Sequence, residues 1–176
     1  MKIKDRVLLG IIAGLTGNLF KTIIDEVSVK KKISQRSFRE TAAGVWVNKS
    51  EASTLKGQFL GGLFDFGMGS LGGIGIVHLL SKTGRDHIIT KGILSGITMG
   101  SAITSLLSVI PQNKAKPKDA ASNLSYMLSH AVYGIITTAI VSKAGHSSLF
   151  DAKPVNNYLE PTELTSEEKS LSSSDK

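Results

Sequence analysis

Charged side chains in this chain are confined to residues 1–6, 21–56, 82–91, 114–119 and 143–176, and the intervals between carry almost none. Gly92 to Ile110 is 19 residues without a charge, and Ser122 to Ser142 is 21. A helix of about 20 apolar residues, rising about 1.5 Å per residue, crosses the roughly 30 Å hydrocarbon of a bilayer. Gly57 to Leu80 runs to 24 residues, with Asp65 as its one formal charge and His78 near its end. An internal carboxylate is costly in lipid and is retained where it faces other helices. Val7 to Phe20 is shorter, 14 uncharged residues before Lys21, Asp25 and Glu26, and it spans only if Lys21 snorkels to the interface or finds a partner.

The pattern predicts an all-α integral membrane protein, a four-helix antiparallel bundle with spans at about 7–28, 57–80, 89–110 and 122–143. One transmembrane domain would occupy residues 1–146 and a flexible, polar C-terminal tail residues 147–176, whose last stretch is nearly all Ser, Glu, Lys and Asp. Average composition is neutral on the point, since 41% hydrophobic residues suits a soluble protein equally. The soluble alternative is a buried helical bundle, in which apolar runs are usually about 10–14 residues. Glycine favours lipid: it is destabilising by nearly 1 kcal/mol in a water-exposed helix interior but frequent in membrane helices, and most of the 18 glycines fall inside the spans. At the N-terminus the basic Met1–Arg6 segment and the apolar run after it also suit a signal peptide. No A-x-A-like site follows, and helical spacing continues through Ile23, Ile24 and Val27, which favours an uncleaved first span.

Spacing within the spans adds packing detail. Gly92, Gly96 and Gly100 form a double G-x-x-x-G, continued by Thr104 and Ser108, while Gly10 and Gly14, Gly57 and Gly61, and Gly69 and Gly73 repeat the interval. Such stripes let helix backbones approach closely, within one chain or between copies. The Gly67–Gly75 run lacks the Lys-Ser or Lys-Thr of a phosphate loop and suits helix packing or a helix break.

The first connection, Ser28 to Lys56, holds Lys30, Lys31, Lys32, Arg36, Arg39 and Trp46. Ser37 and Glu40 make a Ser-x-x-Glu helix start, so a short interfacial helix anchored by Arg36, Arg39 and Trp46 is one reading and a plain basic loop the other. Between the third and fourth spans, Pro111 and Pro117 bracket basic residues and force an antiparallel pair. The net charge of +7 sits beside apolar runs rather than along one aromatic-studded face. It therefore points to anionic lipid headgroups as the partner and not to nucleic acid. Eight Lys or Arg on one side of the bundle against ten on the other leave orientation open.

Chain reversal places polar residues at shared depth. Asp65 lies eight residues after Gly57 and His130 eight after Ser122, so both sit roughly 12 Å from the same end of the bundle. Lys21, seven residues before Ser28, falls in the same layer. Asn18 and Asp25 extend it along the first helix, Tyr133 lies one turn beyond His130 to donate to it, and Ser101 and Thr104 reach it from the third. A Lys21, Asp65 and His130 layer is either a polar clasp fixing helix register or a proton or ion relay. An intramembrane enzyme would have only Asp65 and His130 as its acid–base pair. Other chemistry is thin: there is no cysteine, no P-loop, no G-x-S-x-G and no H-E-x-x-H, and four histidines without metal spacing predict neither metal nor cofactor.

The run Leu8-Leu9-Gly10-Ile11-Ile12-Ala13-Gly14-Leu15 leading to Asn18 and Lys21, with His130-Ala131-Val132-Tyr133-Gly134 in the last span, resembles small bacterial inner-membrane proteins of the YqhR and YagU kind. The resemblance covers chiefly the first and last helices. It implies a four-span protein of a bacterial cytoplasmic membrane, of a kind without established enzymatic activity. The expectation is a non-enzymatic membrane protein that assembles with itself or with a membrane partner protein; the alternative is a small transporter or proton-conducting protein using the polar layer.

Overall fold

The computed structural model describes residues 2–150. Every regular element among them is helical: α1 (Arg6–Lys30), α2 (Phe38–Ala43), α3 (Lys49–Ala52), α4 (Leu55–Thr83), α5 (Ile88–Val109) and α6 (Ala120–Ala144), followed by a 3₁₀ turn, Ser147–Phe150. Four of these, α1, α4, α5 and α6, are long and apolar enough to cross a membrane.

Local chemistry sets the helix ends. The Asp5 carboxylate accepts the Leu8 N–H at 2.7 Å, Thr54 Oγ1 accepts the Gly57 N–H at 3.3 Å, and Asp119 accepts the Ser122 N–H at 2.8 Å. Each cap satisfies a donor that the first helical turn leaves unpaired. α5 stops where Ile110, immediately before Pro111, turns extended, as steric conflict with the proline ring requires. The glycine-rich run 67–75 lies within unbroken helix.

The tight turn from α4 into α5 has no side-chain cap, and His87 there adopts a left-handed φ of 48°. Lys91 holds it instead, donating to the Thr83 and Gly84 carbonyls at 2.9 and 3.0 Å and to Asp86 at 2.6 Å. The Lys91 ammonium keeps the Asp86 carboxyl below its ordinary pKa. That bond favours the charged form, so its contribution is present above the usual carboxylate pKa of about 3.9 and is lost as pH falls through the lower folded value. Amide protection over residues 84–91, relative to the intrinsic exchange rate at each pH, should fall in acid, and Asp86→Asn should show the lower protection already at neutral pH. The effect is small because Asp86 is exposed.

α1 packs on α4 and α6, and α5 packs on α6. Backbones come close at these crossings: a Cβ at Gly14 would overlap the Gly69 carbonyl, one at Gly73 the Gly10 carbonyl, and one at Gly96 the His130 carbonyl. One apolar core joins Leu9, Ala13, Val77, Leu80 and Tyr133 to Leu149 and Phe150. The last two correct the expected domain boundary, because residues 147–150 pack into the fold rather than beginning a flexible tail. The remainder of that expected tail, from residue 151, lies outside the described residues. Ile3 pairs with the other end of the described chain, donating to the Ala144 carbonyl and accepting from the His146 N–H, both at 2.9 Å.

The first connection differs from either expectation. α2 forms, capped by Ser37, but its apolar side is turned into the protein: Phe38, Ala42 and Ala43 are fully buried, and the helix rests on α4. Arg36 pairs with Glu40 at 3.1 Å and Arg39 with Glu26 at 2.5 Å. Trp46 lies beyond the end of α2, half exposed and edge-on to Phe64 at 5.4 Å. An amphipathic helix laid on a membrane would instead turn its apolar face outward.

Distribution of polarity is inverted relative to a water-soluble protein. Phe59, Leu63, Leu94 and Leu128 lie on the outer surface at 59–70% exposure, whereas Lys21, Asp25, Asp65, His130 and Asn18 are at most 3% exposed. Ionised groups are almost never fully buried in a soluble core unless paired.

Candidate functional site

Lys21 supplies the centre of the interior polar cluster. It stands on the inner face of α1, and its ammonium reaches both oxygens of Asp65 on α4 at 2.8 Å. Asn18, one turn earlier on α1, donates to Asp65 Oδ2 at 3.2 Å. The absence of a side chain at Gly69 makes room for Asn18, whose Cβ lies 3.0 Å from where a Gly69 Cβ would stand. Helix α1 runs on through Lys21 and Asp25, and both side chains find partners in the interior, Lys21 on Asp65 and Asp25 on the Phe38 N–H.

The second component comes from the loop. Phe38, at the start of α2, inserts its ring above the pair, with the Lys21 ammonium 4.5 Å from the ring centroid. The same ring meets Tyr126 edge-on at 5.3 Å and the His130 imidazole at 4.9 Å. Asp25 fixes this insertion: its Oδ2 accepts the Phe38 N–H at 2.6 Å. Further bonds tie the connection to α6: Tyr126 donates to the Arg36 carbonyl at 2.9 Å, and Ser122 Oγ accepts the Gln35 N–H at 2.9 Å. Asn113, from the loop after α5, donates to the Thr41 carbonyl at 2.9 Å. The first connection is thereby a plug seated in one end of the helical assembly.

Lys21, Asp65 and Asn18 are thus hydrogen-bonded together, and Asp25 joins them through Phe38. His130 is at the expected depth without bonding to the pair. Its Nδ1 lies 2.7 Å from the Tyr126 carbonyl of its own helix, and since a carbonyl only accepts, Nδ1 carries the hydrogen. Tyr133 does not donate to the layer either, giving its hydroxyl hydrogen to the Gly69 carbonyl at 2.6 Å. Ser101 faces Met127 at 3.1 Å, and the buried Thr104 hydroxyl has no partner. Depth alone fixed height; azimuth decided which side chains meet.

Asp65 accepts three hydrogen bonds from Lys21 and Asn18, and none joins it to His130. Among the described residues no three His, Asp or Glu stand close enough to share a metal. The expected glycines divide by neighbour. Gly10 and Gly14 meet α4, Gly92 and Gly96 meet the α6 backbone, Gly100 meets the His130 ring, and Gly57 and Gly61 meet the first connection at Ala52 and Arg39. Sequence reasoning missed Gly17, which faces Thr137 and Tyr133, and gave Gly134 no packing role although it faces the Gly92 carbonyl. It also missed Phe38, whose signal was a lone large apolar residue directly after a capping serine in a basic loop.

No family model, curated protein or solved structure matches this chain. The resemblance carried by the first and last helices therefore rests on those residues alone.

Proposed function

We propose that the chain is a non-enzymatic integral membrane protein, a four-helix antiparallel bundle that serves as a rigid scaffold for assembly with a second copy or a membrane partner. The observation that carries this reading is the inverted polarity, with leucine and phenylalanine outside and a lysine–aspartate pair inside. In lipid the outward apolar surface has no reason to hide, and the polar groups must satisfy one another. Glycine-to-backbone contacts at the α1–α4 and α5–α6 crossings support a bundle held by close packing, the means left when lipid tails are as apolar as leucine. An even number of spans puts both ends of the described chain on one side. The resemblance favours a bacterial cytoplasmic membrane.

The buried, mutually bonded Lys21–Asp65 pair under Phe38 favours a clasp over a relay, since a conducted proton needs a free acceptor and a path. Three buried oxygens without partners, Asn18 Oδ1, Thr22 Oγ1 and Asp25 Oδ1, follow one face of α1 and are the feature that favours conduction. Alkaline extraction of isolated membranes tests the scaffold's location: the chain should stay in the pellet with the lipid. Release into the alkaline supernatant would return the soluble bundle as the correct description.

A further inference from the structure

A groove of about 590 Å³ follows the outer face of α4, with Leu15 of α1 and Arg39 of α2 on its flanks. Its walls are apolar for most of their length, with Phe59, Leu63 and Phe66 projecting around the bare backbones of Gly62 and Gly67. From Gln58 to Ser70 it extends about 18 Å at 1.5 Å per residue, a little over one leaflet of a roughly 30 Å hydrocarbon core. At the far end the Ser70 hydroxyl spends its hydrogen on the Phe66 carbonyl at 2.9 Å, so no charged group stands there.

The near end is polar. The Arg39 stem lies across Gly62, its Cδ 3.8 Å from where a Gly62 Cβ would stand. One guanidinium nitrogen pairs with Glu26, while the buried Nε has no hydrogen-bond partner. The Nε is enclosed by protein, but the Arg39 side chain is 28% exposed and lines the groove, so the exposed part of its guanidinium can donate to a phosphate oxygen. From Glu26 to Lys56 the chain carries seven basic residues against three acidic ones, and of the carboxylates Glu26 is held by Arg39 and Glu40 by Arg36 and the groove residue Gln58.

We propose that this groove is a binding site for one anionic glycerophospholipid, its acyl chain along Phe59, Leu63 and Phe66 and its phosphate at Arg39. A tail the depth of one leaflet and a single cationic end describe an amphiphile with one charged head. A second protein helix would need no cation at the end of the groove. The site rests on the membrane reading given above.

Native mass spectrometry of the delipidated full chain in detergent, titrated with phosphatidylglycerol or phosphatidylcholine of identical chains, tests it. One phosphatidylglycerol should bind about fivefold more tightly than phosphatidylcholine, the preference that one basic side chain exerts toward an anionic headgroup. Arg39→Gln should remove the preference. Gly67→Leu should weaken both lipids by filling the groove, and it should fold, since nothing lies within 4 Å of the Gly67 Cβ position. Equal binding of the two lipids to the unaltered chain, or an undiminished preference in Arg39→Gln, would overturn the site. So would a lipid-free dimer that Gly67→Leu abolishes, because the groove would then be a self-association surface. Flotation with vesicles of pure phosphatidylcholine separates the two levels: a chain that floats but shows no preference loses only the lipid site, and one that fails to float loses the membrane reading as well.

Discussion

Asp65→Ala should destabilise the protein by about 3–5 kcal/mol, because it strands the buried Lys21 ammonium without its counter-charge. Lys21 is 1% exposed, and both of its hydrogen-bond contacts are to the Asp65 carboxylate. The Phe38 ring remains against the ammonium, but a desolvated cation–π contact is worth only about 2 kcal/mol, and Asn18 loses its acceptor at the same time. Against a total stability of about 5–15 kcal/mol, the change should move the chain from mostly folded to heavily populated unfolding. The double variant Lys21→Met, Asp65→Leu should recover most of the loss, since removing both charges removes the penalty of the unpaired one. Unfolding in rising dodecyl sulfate, followed by helical circular dichroism, measures all three. An Asp65→Ala protein as resistant as the parent would mean that the pair does not hold the helices in register.

Gly96→Leu should be comparably severe and for a different reason. The Cβ at this position overlaps the His130 carbonyl and lies 3.1 Å from the Gly134 nitrogen. Both obstacles are backbone, so no side chain can rotate away and α5 has to move off α6. Overpacking typically costs about 1–3 kcal/mol where a core can adjust, and the rigid neighbours place this site at or above the upper end. Since α6 is the helix against which α5 chiefly packs, limited proteolysis should cut first in the turns flanking α5. Gly75→Ala is the contrast: its Cβ meets nothing within 4 Å, so stability should hold or rise by up to about 1 kcal/mol from improved helix propensity. Equal losses at Gly96 and Gly75 would show that glycine serves only flexibility here.

The four long helices were legible in the gaps between charges, because lipid-length apolar runs leave few alternatives. The ends of α4 and α6 at Leu55 and Ala120 fall two residues outside the uncharged stretches, where Thr54 and Asp119 supply caps. Counting residues from the helix ends was enough to set Lys21 and Asp65 at one height. It was not enough for His130, because height along a helix says nothing about rotation about its axis. The α6 backbone offers the imidazole a closer acceptor at Tyr126. Least legible was the plug. A loop rich in lysine and arginine suggests a solvated or interfacial segment, and the Asp25 carboxylate that draws Phe38 inward sits 13 residues away in sequence. Such pairing between a buried helix end and a loop backbone has no periodicity to betray it.

With no cysteine in the chain, single substitutions at Leu63, Leu94 and Leu128 offer the most direct measurement. Each is about 60% exposed on the outer surface and lies roughly 9–12 Å in from its helix end. In intact and in permeabilised vesicles a charged, membrane-impermeant maleimide should leave all three thiols unmodified, while a thiol at Lys118 reacts. Rapid modification of Leu63→Cys, Leu94→Cys and Leu128→Cys by that reagent, at the rate of a water-exposed thiol, would contradict the account, because water and not lipid would then surround the bundle.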